Sequence, residues 1–566
     1  MRPASQRCPP STAFHRPVRG RAEEGPNMSA EPMSPRLLGA GLLTLALLTA
    51  GCVSESGAGK PESGKIAGDL VRGGDEGECT PDKAGGSVTI AEQNEYATLD
   101  PAGGSFLFNP AQQIYSSLMR WNPGAAEHRP LLAESLSAND DHTVWTLGLR
   151  RGAAFGDGTP LDADAVIASI DRHRADDSLS TWAQRARSIS AMKAVDDRTV
   201  EFTLDGPWTE FPWLLGTGVG MITNPEVDEK ALAAEPPAAA GAGAFVFDHW
   251  TPGNELVVTK KSDWWNGPVC LDSVRVIAQV DSKARKDAFD KGEAQVFLGT
   301  ADLDVSQKII DEGANHAKYP LRLGLTPNFG VGEDAKTTDG ANRTIRRALQ
   351  LAIDPELMTD RVTGGVAEPV TTLVSGDSPL NDGLQGVPHD RAEAKRLVDQ
   401  VKADGWDGRL AVMALNQPNN IAIGNQAIAL WKAIGIEAEL ETVELSEFVK
   451  ASMMGGGGFD VLVSGGGNHP LPECVSCDLD QYATEGAGNR VGYSNPKIDD
   501  LAERLNAAAP DQRPALLKEV QAVWNEDIPR ILYGQQYYMV AWTPELKGAK
   551  PGRLLTIDLS RAWLAK

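Results

Sequence analysis

Cysteine is the residue type with the most direct chemistry in this sequence, and its spacing limits what that chemistry can be. Cys474 and Cys477 form a Cys-x-x-Cys pair, while Cys79 and Cys270 lie far from it. A zinc ribbon needs a second Cys-x-x-Cys, which the sequence lacks. A redox centre is expected at a helix N-terminus after a buried strand, whereas the setting of this pair, after Pro472, predicts a loop. We therefore predict that these four cysteines are structural.

Cys52 has a different setting, because it follows an export signal. From Met33 the sequence has a charged head, an apolar run over 37–48, and then the small residues 49–51 directly before Cys52. The run is too short for a comfortable membrane span, which takes about 20 residues, so it predicts a cleaved signal peptide. Small residues before a cysteine are what a lipoprotein signal peptidase accepts. We predict cleavage before Cys52 and acylation of its thiol; cleavage near Ala50 or an uncleaved anchor is the alternative.

Export places the remaining cysteines in an oxidising environment, where four of them allow three disulfide pairings. We favour Cys79 with Cys270 and Cys474 with Cys477, because the second two are only three positions apart. A Cys79 peptide that ran free in an unreduced digest would contradict this pairing.

Other motifs that could carry chemistry fail on their context. Residues 59–65 have the spacing of a phosphate-binding loop, but Ile66 stands where a Ser or Thr is needed and no strand precedes them. His469 lies in a glycine-rich stretch without a second ligand at a suitable spacing, which favours a hydrogen-bonding role over metal binding. The sequence has no Gly-x-Ser-x-Gly elbow and no His-Glu-x-x-His pair. We predict no catalytic residues, no metal site and no cofactor.

Length and charge limit the classes of protein and partner. The chain has 566 residues, 41% of them hydrophobic, which predicts two or three lobes because single cores rarely exceed about 250 to 300 residues. With 77 acidic and 54 basic side chains the formal charge is -23, so the field of the protein repels phosphate backbones and anionic lipid. Nucleic acid is therefore not expected as a partner.

Hydrophobic periodicity predicts the elements that would position a site. After residues 53–86, whose Gly, Ser, Glu and Lys content predicts a flexible tether, Val88 to Ala91 predict a buried strand. Polar residues follow it directly, at the place where open α/β sheets hold ligands. Further strands are predicted over 143–149 and 199–204, and helices over 163–173, 343–353, 355–362, 498–505 and 516–524. Strands and helices alternate without a fixed repeat, which indicates α/β lobes.

Several separated segments carry a resemblance to a known family. They are 98–101, 114–118, 130–135, 145–150, 155–166, 263–268, 351–355, 492–499 and 526–529, and the run Phe155-Gly156-Asp157-Gly158-Thr159-Pro160-Leu161-Asp162-Ala163-Asp164-Ala165-Val166 is the most specific of them. In this order the segments resemble the solute-binding proteins of ABC importers of the peptide and nickel type, known as family 5. The resemblance covers nearly all of residues 87–550.

The resemblance implies an α/β fold of the periplasmic-binding-protein-like type II, cluster C, with three lobes and a ligand cleft between lobes I and III. The implied division is residues 1–51 as signal peptide and spurious N-terminal extension, 52–86 as lipidated flexible tether, 87–117, 207–326 and 532–566 as lobe I, 118–206 as lobe II, and 327–531 as lobe III. Such proteins close two lobes over the ligand about a hinge.

The implied ligand site is formed from both lobes. In peptide-binding relatives an acidic residue shortly after a Gly-Trp pair holds the amino terminus of the peptide, but the stretch 465–470 lacks both the tryptophan and the acid. Asn468 or His469 stands near the place of the acid, although Glu473, Asp478 or Asp480 could reach it if the loop is longer. Loss of this countercharge weakens the case for an ordinary free peptide.

The facing wall is expected from lobe I, where aromatic plates lie beside a few polar groups. Its predicted members are Glu92, Asn94, Tyr96, Phe106, Phe108 and Asn109. The alternative is that the two phenylalanines pack under their own loop.

The implied function is that of an extracellular lipoprotein, anchored on the outer face of the cytoplasmic membrane, that works as a monomer. It would capture a peptide or peptide-like solute and deliver it to an ABC permease, and it would not be an enzyme. Two alternatives remain: a sensor lipoprotein on the same scaffold that feeds no transporter, and a cell-wall hydrolase, which alone would turn its ligand over. Neighbouring permease genes would distinguish the importer component from the sensor.

Overall fold

The structure is a computed structural model. It describes residues 70–565 except 75–76, 78, 94–96, 105–107, 300–301, 331–337, 375, 377, 455–457, 464–473, 485, 487–488, 490 and 554, and it leaves the side chains of 108, 449–450 and 452–454 undescribed. Everything below concerns the part of the chain so described.

The described residues form alternating strands and helices. The strands are β1 Val71–Arg72, β2 Ser87–Glu92, β3 Met119–Asn122, β4 Glu127–Pro130, β5 Ala133–Ala138, β6 Val144–Leu149, β7 Ile189–Asp196, β8 Thr199–Leu204, β9 Phe245–Thr251, β10 Glu255–Lys260, β11 Ser273–Ala278, β12 Val296–Gly299, β13 Asn315–Pro327, β14 Arg409–Leu415, β15 Glu437–Val443, β16 Val461–Val463, β17 Ile531–Trp542, β18 Leu546–Lys547, β19 Lys550–Pro551, β20 Ile557–Asp558 and β21 Trp563–Leu564. The helices are α1 Phe108–Tyr115, α2 Ala163–Arg174, α3 Ala183–Arg187, α4 Phe211–Leu214, α5 Glu229–Ala234, α6 Ser282–Asp290, α7 Leu303–Asp311, α8 Arg343–Ala352, α9 Pro355–Thr363, α10 Arg391–Ala403, α11 Pro418–Lys432, α12 Leu445–Met454, α13 Val475–Leu479, α14 Pro496–Ala507 and α15 Arg513–Asp527.

One large sheet organises the molecule. Its eleven strands run in the order β15-β14-β16-β13-β17-β12-β2-β11-β10-β9, with β1 added beside β13. β2 is parallel to both β11 and β12, and β14 is parallel to both β15 and β16. We call β2 with β9–β12 the N-terminal half-sheet and β14–β16 the C-terminal half-sheet. The predicted α/β class is confirmed by this mixed sheet and its helices.

Two long antiparallel strands join the half-sheets. β13 and β17 pair along almost their whole length, and we call them the connecting strands. One end of β17 also pairs with β12, and one end of β13 pairs with β16. Any movement of one half-sheet relative to the other must therefore bend these two strands.

A second, antiparallel sheet has the order β5-β6-β8-β7 and is inserted between β2 and β9 in the sequence. Its inward side chains alternate along each strand, as in the buried Val200, Phe202 and Leu204 of β8. They pack with α2 and α4 into a hydrophobic core that we call the four-stranded core. A separate core, which we call the helical core, is formed by α13, α14 and α15. The predicted lobe boundaries stay a prediction.

The helix starts follow from local sequence. The carboxylate of Asp162 accepts a hydrogen bond from the backbone N–H of Ala165 at 2.9 Å and caps α2. Asp354 caps α9 in the same way through Leu357 at 3.1 Å, and Pro355 fits the first helical position because its missing N–H is not needed there. These are the turns at which the sequence predicted helix starts.

The described residues between 70 and 86 belong to the folded unit, which corrects the prediction that the flexible tether extends to residue 86. Strand β1 pairs with β13, and Cys79 is 1% exposed and bonded to Cys270. A Gly- and Ser-rich composition predicts flexibility only where no contact holds the chain to the fold. Here a strand pairing and a disulfide hold it. The tether prediction is left for residues 52–69, which lie outside the described part.

Candidate functional site

The carboxyl ends of both sets of parallel strands point at the middle of the connecting strands. Along β12, from Val296 to Gly299, the partner on β17 changes from Trp542 to Met539. β2 runs parallel to β12, so it advances in the same direction. From the other side, β16 advances along β13 from Pro327 to Thr326. The two half-sheets therefore direct their carboxyl ends at one another across the connecting strands, where open α/β sheets bind ligands.

A crevice of about 340 Å³ lies at this place. The N-terminal half contributes Gln93, Val280, Ser282, Arg285, Asp302, Leu303 and Asp304; the C-terminal half contributes Val362, Thr363, Gly364 and Asn419; and the connecting strands contribute Gln536. Its volume is within the range of small-molecule sites, and its lining mixes apolar side chains with a few polar groups. A ligand in the crevice would touch both halves at once.

Charge in the crevice is held in place by neighbouring groups. Asp302 caps α7 through the N–H of Val305 at 3.3 Å and accepts a hydrogen bond from the Ser282 hydroxyl at 2.7 Å. The guanidinium of Arg285 donates to the carbonyl oxygen of Val280 at 2.8 Å and lies over the ring of Phe297. Burial lowers the pKa of Arg285, while the negative charges of nearby aspartates oppose that shift. The crevice thus contains both signs of charge beside neutral amides and hydroxyls.

Glu92 and Asn109, both predicted to contact a ligand, are hydrogen-bonded to each other. The side-chain amide of Asn109 donates to Glu92 Oε1 at 2.8 Å and to the carbonyl oxygen of Leu555 at 3.2 Å, and its oxygen accepts from the N–H of Ile557 at 3.0 Å. Asn109 is 4% exposed and its amide makes three protein hydrogen bonds. The described contacts therefore favour a positioning role, in which Asn109 holds Glu92 and the C-terminal segment together. Gln93, the residue after Glu92, lines the crevice.

Most of the other predicted contacts fall outside the described residues. Asn94, Tyr96, Phe106, Asn468, His469 and Cys52 are outside them, and of Phe108 only the backbone is described. Their roles stay predictions.

The Cys-x-x-Cys segment corrects the prediction of a loop. Cys474 is the N-cap of the short helix α13, and a disulfide joins it to Cys477, as another joins Cys79 to Cys270. A helix N-terminus would by itself favour a reactive thiolate. Here the carboxylate of Glu210 lies 3.6 Å from the Cys474 sulfur, and Cys474 is 2% exposed. A buried negative charge opposes a thiolate, so the geometry favours the structural interpretation.

The crevice residues of the C-terminal half were missed from the sequence, although one signal could have found them. Asn416, Gln417 and Asn419 follow directly after β14, just as the polar residues Gln93 and Asn94 follow β2. Polar residues directly past a strand end mark the same edge of the sheet in both places. Thr363 and Gln536 carry no such signal, because the packing of α9 against β17 brings them there.

A second cavity, of about 50 Å³, lies inside the helical core and is lined by Leu479, Tyr482, Trp524 and other mainly apolar side chains. Its lining comes from the C-terminal half and the connecting strands, with no residue of the N-terminal half-sheet, so it gives a ligand no contact with both halves. Among the described residues no group of three or more His, Cys, Asp and Glu side chains is arranged to hold a metal ion. In the same part of the chain, no helix is long and apolar enough to cross a membrane.

Comparison with known proteins decides the family. The profile of bacterial extracellular solute-binding proteins, family 5 Middle, matches residues 127–479, more than half of the chain. The chain belongs to this family. The family predicted from the sequence segments is thereby confirmed.

This family 5 protein has relatives with different ligands. Heme-binding protein A of Haemophilus influenzae is 24% identical over 481 residues, 77% of this chain and 84% of that protein. Glutathione-binding protein GsiB of Salmonella paratyphi A is 26% identical over 469 residues, 79% of this chain and 88% of that protein. Among solved structures, the periplasmic binding protein DppA of Helicobacter pylori in complex with the peptide STSA matches with a TM-score of 0.69 and 22% identity, over 86% of this chain and 99% of that one. The structural match confirms the predicted fold.

Proposed function

We propose that this protein captures a peptide or peptide-like solute outside the cytoplasmic membrane and delivers it to an ABC importer. The observation that carries the proposal is the crevice at which the carboxyl ends of both half-sheets meet. A ligand there stabilises the closed arrangement only through contacts made with both halves, which couples binding to a change of shape. A permease can recognise such a change.

The chemistry of the crevice suits a ligand that carries amide groups. Gln93, Asn419 and Gln536 each offer a donor and an acceptor, and Ser282 and Thr363 offer hydroxyls. Peptide N–H and C=O groups need such partners when they leave water, because an unpaired buried polar group is costly. The aspartates and Arg285 leave room for a ligand with both signs of charge.

The relatives support the same class of ligand without fixing it. GsiB is named for glutathione, a peptide-like solute, and the structure of DppA contains a peptide. The stretch 465–470 of this chain lacks the acid expected to hold a free amino terminus. We therefore propose a peptide whose amino end is modified or is held by the aspartates of the crevice and not by that stretch. We also propose that the protein binds it as a monomer.

The location follows from the N-terminal sequence. Cleavage before Cys52 and acylation of its thiol would tether the protein at the outer face of the membrane. The segment 52–69 would then link the lipid to the fold.

Native mass spectrometry of the protein from its own host tests this function. We expect a bound solute of peptide-like mass that is released unchanged, since a hydrolase would instead release fragments. Titration with that solute by calorimetry should show affinity reduced about tenfold or less by Gln536→Ala or Asn419→Ala, the loss of one neutral hydrogen bond each.

Asn254→Ala is the matched control, because Asn254 is exposed in the turn between β9 and β10. Its affinity should equal that of the wild type. Equal affinity in both crevice variants would place the ligand elsewhere, and loss of uptake of the solute in cells lacking the protein would support delivery to an importer.

A further inference from the structure

Glu210 is a buried carboxylate that no part of the ligand site uses. It is 5% exposed and caps α4 at the edge of the four-stranded core. Oε1 accepts a hydrogen bond from the N–H of Val475 at 3.0 Å, and Oε2 accepts from the N–H and the hydroxyl of Ser476 at 3.0 and 2.7 Å. Arg513 Nη1 lies 3.1 Å from Oε1. All of these partners come from the C-terminal side of the molecule.

Thr209, the residue before Glu210, also makes contacts with the C-terminal side. The backbone N–H of Thr209 donates to the carbonyl oxygen of Asn506 at 2.8 Å. The hydroxyl of Thr209 donates to the carbonyl oxygen of Ala508 at 2.9 Å. Arg513 Nη2 donates to the Thr209 hydroxyl at 3.2 Å. Nearby, Arg185 of α3 and Asp480, the residue after α13, form an ion pair at 3.2 Å. We call these contacts the seam.

The seam joins two separate cores through polar groups. Glu210 belongs to the side of the four-stranded core, while Val475 belongs to the helical core. Every contact named above is a hydrogen bond or an ion pair, which water can replace when the two sides part. Polar contacts of this kind are typical of boundaries within a chain that open and close. Cys474 and Cys477 add packing against the four-stranded core.

We propose that Glu210 is a latch that holds the C-terminal side against the four-stranded core in the ligand-bound, closed form. The proposal deepens the function proposed above and rests on it. Glu210 is a positioning residue, since it lies outside the crevice and acts through the closed arrangement.

The latch has a thermodynamic signature that a ligand contact lacks. If only the closed form holds the ligand tightly, the apparent affinity scales with the fraction of protein able to close. Weakening the latch then lowers the affinity for every ligand by one common factor. The loss appears mainly as faster dissociation, because the encounter with the open form is unchanged.

The test compares Glu210→Gln with Glu519→Gln. Glutamine keeps the size of the side chain but loses the charge that Arg513 and the two N–H groups bind. Glu519 is an exposed carboxylate of α15 paired with Arg504 at 2.8 Å, so its variant controls for loss of one ion pair in the same region. Affinity and dissociation rate are measured for the native solute and for one shortened analogue, and amide exchange is followed by mass spectrometry over residues 474–480.

We expect Glu210→Gln to bind both solutes about tenfold more weakly by the same factor, with faster dissociation and faster exchange at 474–480. Glu519→Gln should match the wild type. Unchanged affinity and exchange, or factors that differ between the two solutes, would overturn the latch.

Thr209→Ala provides a second variant if Glu210→Gln does not fold, because it removes seam contacts without touching a charge. It should weaken binding in the same direction. If the wild type binds no solute, the proposed function fails and the latch fails with it. If the wild type binds solute and Glu210→Gln matches it in affinity and in exchange at 474–480 with the solute present, the latch alone is refuted.

Discussion

His173 is buried in α2, with its ring nitrogen Nδ1 2.7 Å from the hydroxyl of Ser180. Burial and the neighbouring positive charge of Arg172 lower its pKa to about 4. In the unfolded chain a histidine has a pKa of about 6.5. Between these values the unfolded state binds a proton that the folded state does not, so the stability due to His173 is complete above pH 6.5 and is lost as the pH falls towards 4.

We therefore expect the free energy of unfolding to fall by about 2 kcal/mol between pH 7.5 and pH 5 because of this residue. Urea unfolding of wild type and His173→Gln at several pH values measures the difference, and the variant should lack this part of the slope. Asn254→Ala is the control, since Asn254 is exposed and carries no titratable group, so the slope should stay unchanged. A wild-type slope retained in His173→Gln would contradict the assignment.

At the residue scale, the sequence predicted which kinds of side chain lie near the site better than it predicted what those side chains contact. Glu92 and Asn109 are both polar residues near the end of β2, as expected, but their side chains bond to each other. The partners of Asn109 at Leu555 and Ile557 are more than 400 positions away in the chain. No local pattern records such a contact, because it depends on how the C-terminal segment folds back onto α1.

At the scale of elements, Gly324 lies where the two halves are joined. The register between β13 and β17 shifts between Leu323 and Gly324, which marks a β-bulge in the connecting strands. A Cβ added at Gly324 would lie 2.6 Å from the carbonyl oxygen of Ile531 and 2.8 Å from Nε of Arg530. Since the first of these atoms is backbone, the two strands would have to separate to admit it.

We expect Gly324→Ala to lower the free energy of unfolding by about 2 kcal/mol or more, measured by urea denaturation. Gly206→Ala is the matched control, because no heavy atom lies within 4 Å of its added Cβ. Its stability should stay within about 0.5 kcal/mol of the wild type. A Gly324→Ala protein as stable as the control would mean that the two strands can adjust to the added methyl group. The bulge would then not be a fixed feature of the connecting strands.

Elements with a strong local signal were predicted well, and those held by distant partners were not. The periodic helices α8 and α9 and the strands β6 and β8 were predicted within a few residues, because each presents one apolar face to a core. The helix α13 was missed, since five residues are too few for a periodic pattern and its N-terminus is completed by Glu210, 265 positions before Val475. β1 was missed for the same reason, as its partner is β13.

On the scale of the whole molecule, the family and the fold could be predicted, but the ligand could not. The family segments are turns and helix starts, which define the scaffold, and they recur wherever the scaffold does. The crevice instead combines Gln93, which follows β2, with residues at or beside α6, α7, α9, α11 and β17. The sequence separates them by up to 443 positions, from Gln93 to Gln536. Ligand chemistry depends on that assembly, and relatives bind solutes as different as heme and glutathione.

We expect the proposed attachment to the membrane to come from the lipid on Cys52. No described helix can cross a bilayer, and a formal charge of -23 gives no attraction to anionic lipid. A single acyl chain binds membranes only marginally and reversibly, so stable attachment needs at least two chains or a basic patch. We therefore expect Cys52 to carry two or more acyl chains.

Mass spectrometry of the N-terminal peptide from the native host should find Cys52 as the first residue with that added mass, and detergent phase partition should place the protein with the membrane. Cys52→Ser should move it to the aqueous phase. Because Cys52 lies in the predicted tether, the variant should keep its ligand affinity and its unfolding free energy. An unmodified Cys52 in the native host, with the protein still held at the membrane, would show that another segment anchors it; loss of binding in Cys52→Ser would show that the tether and the fold are not independent.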